Sequence, residues 1–127
     1  MDRNKRFKNK VCTVTGGSSG IGKACTMQFA LKEGKVVILD KNEKEGAQVV
    51  GDILQEGSKV IFIKTDVGKE EDLENAVKIT TDKWGKFDVL VNNAAYMTYK
   101  PVTELMIEKW DKVMAINIRS VFILTKY

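Results

Sequence analysis

The sequence has 127 residues, 43% of them hydrophobic and 30% charged, the balance of one soluble globular domain on one hydrophobic core, and no apolar run approaches the roughly 20 residues that span a bilayer. The net charge of +4 resides in the first ten residues, where five Lys and Arg stand against Asp2; the body is neutral, so neither a nucleic-acid nor a membrane partner is expected. The absence of histidine excludes a Cys/His zinc site, and the two cysteines, Cys12 and Cys25, read as small core residues in a reducing, cytoplasmic setting rather than as a disulfide.

Strand-like and helix-like segments alternate along the chain. Val11–Thr15 is a β-rich run, too short and too late to be a signal-peptide core. The glycine cluster Gly16–Gly22 follows. A helix then runs to about Lys32, with Ile21, Ala24, Cys25 and Phe29 at spacings of three and four, and Gly34 ends it. Lys35–Asp40 is a second strand, apolar on consecutive positions as a strand covered on both faces should be. Glu43–Glu56 is a second helix, with Ala47, Val50, Ile53 and Leu54 as its apolar stripe and Gly57 at its stop. Lys59–Lys64 is a third strand. Glu70–Trp84 is a third helix, with Leu73, Ala76, Val77, Thr80 and Trp84 on one face and Gly85 beyond it. Phe87–Asn92 is a fourth strand, and a loop holding the single proline, Pro101, leads to a last helix from about Glu104 to Tyr127.

Repeated β-α-β units imply an α/β fold: a Rossmann-type, doubly wound parallel sheet with helices on both faces. Residues 1–127 form one dinucleotide-binding domain, which stops after the fourth strand and its following helix and leaves one flank of the sheet poorly covered.

Thr15-Gly16-Gly17-Ser18-Ser19-Gly20-Ile21-Gly22 joins the first strand to the first helix. Glycines there permit a tight turn and a close approach of backbone to a pyrophosphate, and the helix start offers unpaired N–H groups at the positive end of its dipole. Ser18 and Ser19 can add hydroxyl donors. Gly17 to Lys23 also has the spacing of an NTP-binding G-x-x-x-x-G-K loop. That chemistry needs a Ser or Thr after the lysine to hold Mg²⁺, and Ala24 has no oxygen. Asp40 ends the second strand 18 residues after Gly22, where a carboxylate accepts hydrogen bonds from adenosine ribose hydroxyls and opposes a 2′-phosphate; NAD is the expected cofactor in preference to NADP, with Lys41 as a tolerant neighbour.

These residues resemble the short-chain dehydrogenase/reductase family. Thr15-Gly16-x-x-x-Gly20-x-Gly22 matches its cofactor loop, Asp66-Val67 its adenine-contacting pair, Asn92-Asn93-Ala94-Ala95 its Asn-Asn-Ala-Gly segment, and Trp110-Asp111 with Asn117 the helix that bears its active-site asparagine. The resemblance covers nearly the whole chain and departs from the pattern at Ala95. It implies cofactor contacts from Gly16, Ser18, Ser19, Gly20, Ile21, Gly22, Asp40, Asp66, Val67, Asn93, Ala94 and Ala95, and a role for Asn117 in ordering a water. It further implies hydride transfer between NAD(P) and an alcohol or ketone, and a homo-oligomer in the full-length form. The family's serine and its Tyr-x-x-x-Lys pair fall after the asparagine helix. The one Tyr-x-x-x-Lys present, Tyr96 to Lys100, precedes that helix and reads as chance, with Tyr96 lining the substrate side of the cleft. The chain is therefore expected to be the cofactor-binding portion of an oxidoreductase. The alternative is a stand-alone, non-catalytic dinucleotide-binding module.

Overall fold

The computed structural model of the chain describes residues 3–127. Met1 and Asp2, at the head of the basic segment, lie outside them. Four parallel strands, β1 (Val11–Thr15), β2 (Lys35–Asp40), β3 (Lys59–Lys64) and β4 (Val89–Val91), form one sheet in the order β3-β2-β1-β4. The helices α1 (Gly20–Leu31), α2 (Glu43–Gln55) and α3 (Glu70–Trp84) are the crossovers, and residues 107–126 make a last, continuous helical rod.

The doubly wound arrangement covers β1 and β2 on both faces, and both strands are buried on successive residues. Val36, Val37, Ile38 and Leu39 are all 0% exposed. Val37 and Leu39 face a layer with Leu73 and Ala76 of α3 and Ile123 and Leu124 of the rod; Val36 and Ile38 face Ala30 of α1 and Val49 and Ile53 of α2. Each such side chain contributes about 1.5–3 kcal/mol by leaving water. No helix among the described residues is long and apolar enough to cross a membrane.

The first three strands keep their expected limits, and α3 buries Leu73, Ala76 and Thr80 from its expected face. Two helices turn a different face inward from the one their apolar residues mark. In α1 the buried residues are Gly22, Thr26 and Ala30, while Ile21 is 78% exposed. In α2 they are Gly46, Val49 and Ile53, with Ala47 and Leu54 outside. Close approach is the reason in both. A Cβ on Gly46 would run into the ring of Phe62, and one on Gly22 into the carbonyl of Gly16, so these glycines let the helices sit low on the sheet.

β4 is shorter than the expected Phe87–Asn92 because the chain leaves the sheet where the Thr15 hydroxyl accepts the N–H groups of Asn93 (2.9 Å) and Ala94 (3.0 Å). The last helix starts at Ile107, later than Glu104, which closes a turn onto Pro101. The rod consists of α4 (Ile107–Met114), a π-helical turn (Ala115–Arg119) and α5 (Ser120–Lys126). Cys12 and Cys25 are both free, Cys12 buried and Cys25 only partly so.

Candidate active site

The C-terminal ends of β1, β2 and β4 open onto a cleft of about 350 Å³. It lies where the chain crosses from one half of the strand order to the other, the usual ligand site of open α/β sheets. Its loop is built from β1. Gly16 has φ +63° and donates its N–H to Leu39 O at 2.7 Å, a conformation that favours glycine. Gly20 has φ +53°, and a Cβ there would meet nothing within 4 Å, so this part of the loop faces open space. Thr26 secures the loop from below, its hydroxyl donating to Gly17 O at 3.1 Å.

α1 starts at Gly20 with no capping bond from the Ser19 side chain and no acidic residue in its first turn. Its N-terminal amides are thus free of the usual side-chain acceptors and aim at the loop's open side, the electrostatic setting for an anionic group. Beside it, Asp40 spreads its carboxylate between two amides: Oδ2 accepts Ser18 N–H and Oδ1 accepts Asn42 N–H, each at 3.1 Å. The buried Ser18 hydroxyl has no hydrogen-bond partner among the described residues. An uncapped helix start, an open glycine cradle and a carboxylate at the end of β2 fit the pyrophosphate and ribose of a dinucleotide.

Gly16, Ser19 and Asp40 line one side of the cleft, Asp66 and Val67 the next, and Asn93, Ala94 and Ala95 the far wall. Asp66 is shaped by its own turn: Oδ1 accepts Gly68 N–H at 2.9 Å, and its N–H donates to Asp72 Oδ2 at 2.8 Å. Ser18 and Gly20 line a smaller depression on the other side of the loop, between α1 and α2. Ile21 and Gly22 lie off the cleft: Ile21 points to an outer groove with Phe7 and Phe29, and Gly22 is the contact point between loop and helix.

Asn93 carries a role that the motif alone does not show. Its amide donates to Thr15 O at 3.1 Å and Gly16 O at 3.2 Å, so the side chain ties β4 to the glycine loop. Asn117 is also a clamp. Its Oδ1 accepts Tyr96 N–H and its Nδ2 donates to Tyr96 O, both at 2.8 Å, from within the π-helical turn. Asn117 itself does not line the cleft, whereas Tyr96 does, together with Leu39, Lys41, Thr65 and Ile116, which no sequence pattern marked as a group. Tyr96 to Lys100 has no regular structure, and the cations over the Tyr96 ring are Lys109 and Lys112 of α4, not Lys100. No group of three or more potential metal ligands occurs among the described residues.

The sequence profile of the short chain dehydrogenase family matches residues 10–127. The chain is 41% identical over 121 residues to an uncharacterized oxidoreductase of Thermotoga maritima, covering 95% of this chain and 47% of that protein. It is equally 41% identical over 121 residues to a cyclopentanol dehydrogenase of Comamonas testosteroni, covering 95% and 48%. A solved short chain dehydrogenase from Burkholderia cenocepacia, in complex with NADP, superposes with a TM-score of 0.90 at 30% identity, covering 95% of this chain and 50% of that one. The chain thus spans about half the length of the relatives it matches.

Proposed function

The chain belongs to the short chain dehydrogenase family, and on that premise we propose that it forms the dinucleotide-binding portion of an oxidoreductase that moves a hydride between a nicotinamide cofactor and an alcohol or carbonyl compound. The observation that carries this reading is the uncapped start of α1 behind Gly20, set in one fold with the Asp40 cleft. When bound, the nicotinamide ring supplies or accepts the hydride. The chain's own residues hold and orient. The amides at the start of α1 take the pyrophosphate, Asp40 takes the adenosine ribose hydroxyls, and Asp66 and Val67 border the adenine. Ala94 and Ala95 form the wall along which the nicotinamide half lies. Asn117 contributes by fixing that wall through Tyr96. Those two bonds use one N–H and one lone pair of the amide, and the second N–H and second lone pair remain for a water.

Asp40 supports NAD in preference to NADP, since its carboxylate suits two hydroxyls and repels a 2′-phosphate. The Burkholderia relative holds NADP, and the NAD reading rests on Asp40 of this chain alone. Binding of both cofactors to the full-length protein, titrated side by side with Asp40→Ala, tests it. NAD should bind more tightly to the parent, and the gap should narrow in the variant. Equal or tighter binding of NADP by the parent would refute the assignment.

The reading also includes a homo-oligomer. Ile107, Trp110, Ile118 and Phe122 are each more than half exposed along the outer rod, an apolar face that a second copy would cover. A cytoplasmic location is supported by the two free thiols.

A further inference from the structure

We propose that Lys112 is a positioning residue for the dinucleotide cleft, acting through the ring of Tyr96. The proposal rests on the reading of the cleft given above. The backbone of Tyr96 is fixed on both sides by the Asn117 amide, which leaves the side-chain torsions as the free variables. The ring packs against the core layer of Leu73 and Ile123, and Tyr96 forms part of the cleft wall after Ala94 and Ala95. The Lys112 ammonium stands 4.2 Å from the ring centroid, and that of Lys109, one turn earlier, 6.0 Å.

α4 fully buries none of its residues, Val113 and Met114 at its end being partly buried, and Lys109 and Lys112 lie on its exposed side. Among the described residues neither lysine forms a salt bridge. The face of the Tyr96 ring is therefore what the Lys112 charge is placed against. The negative face of an aromatic ring attracts an ammonium, modestly where the pair is exposed. Held from the α4 side, the ring keeps one rotamer. Released, it samples others that cross the mouth of the cleft beside Ala95, and every such conformer must be displaced before a dinucleotide enters. Lys112 thus raises affinity without touching the ligand.

The test is NADH binding to the full-length protein, measured for the parent, Lys112→Met, Lys112→Arg, Tyr96→Leu and the Lys112→Met/Tyr96→Leu double variant. Lys112→Met should weaken NADH about two- to five-fold, the reach of an exposed cation–ring pair. Lys112→Arg should restore it, because a guanidinium also stacks on the ring. The double variant should bind no more weakly than Tyr96→Leu alone. In turnover, Lys112→Met should raise KM for the cofactor and leave kcat in place. Lys112→Gln removes the same charge and serves where methionine disturbs folding. Parent-like binding by Lys112→Met, or independent effects in the double variant, overturns the proposal. Failure of the unmutated protein to bind NADH at all instead removes the cleft reading on which it stands.

Discussion

Gly22 and Ala95 stand on opposite sides of one question, whether a methyl group fits. A Cβ on Gly22 would meet both Gly16 O and the Asn93 amide, the two groups that lock the loop to β4. Gly22→Val should therefore abolish measurable NADH binding and destabilise the fold by about 1–3 kcal/mol, read by titration and by denaturant unfolding; undiminished binding would detach the loop from the phosphate site. Ala95 is different. It is not among the described non-glycine residues with positive φ, which are Asn9 and Glu33, so the backbone does not require the glycine of the family pattern. Ala95→Gly should leave NADH affinity unchanged, and a marked gain would show that the methyl crowds the cleft. The cysteines separate in the same way. Burial, helped by the Asp88 carboxylate, pushes the Cys12 thiol up to about 11, whereas Cys25 is partly exposed. Alkylation at neutral pH followed by peptide mass spectrometry should mark Cys25 and spare Cys12. Sequence patterns marked Gly16 and Asp40 of the cleft lining because each is a local signal beside a strand end, and Asp66 came from the family resemblance. The Asn93 and Asn117 clamps join residues 77 and 21 positions apart, a separation at which no local spacing can signal contact.

Among the elements, β1 is held at its start by a carboxylate. Asp88 Oδ2 accepts Val11 N–H at 2.8 Å and lies 3.1 Å from Lys86 Nζ. The hydrogen bond from Val11 is the chief reason that the Asp88 carboxyl titrates below its ordinary value of 3.8. A lowered value means the folded chain holds this proton less tightly than the unfolded chain. The stabilisation is therefore complete above about pH 4 and fades as the pH falls through the lowered value. Asp88→Asn should flatten the acid limb of the stability-against-pH curve, and an unaltered limb would deny the link. Gly85, at φ +76°, ends α3, and Gly85→Ala should cost about 1–2 kcal/mol in chemical denaturation. β1, β2 and α3 were legible because burial on two faces, or on one stripe, leaves a clear pattern, whereas β4 ends early at Val91 where the chain turns to Thr15. The inward faces of α1 and α2 were not. There the sheet is approached through Gly22 and Gly46, and hydrophobicity does not register a contact made by the absence of a side chain.

For the molecule as a whole, the family resemblance places a catalytic tyrosine and lysine beyond Asn117, whereas Tyr96 and Lys100 share a loop ahead of it. A protein of residues 1–127 alone should show no turnover with NAD and simple alcohols, because acid–base assistance at the substrate oxygen is worth roughly 10²–10⁴-fold. Turnover by residues 1–127 that is lost in Tyr96→Phe would overturn this. The sheet order carries a further consequence, for the time course of folding. β1 gains β2 as a neighbour within a few dozen residues, but its other neighbour, β4, pairs Cys12 with Val89. Contacts of such separation close late, after the local β-α-β units have formed. The glycine loop therefore completes only when β4 docks and Asn93 reaches Gly16. Dinucleotide affinity should appear in the last kinetic phase of refolding, after most of the helical signal, so that the ligand selects chains whose final strand is in register.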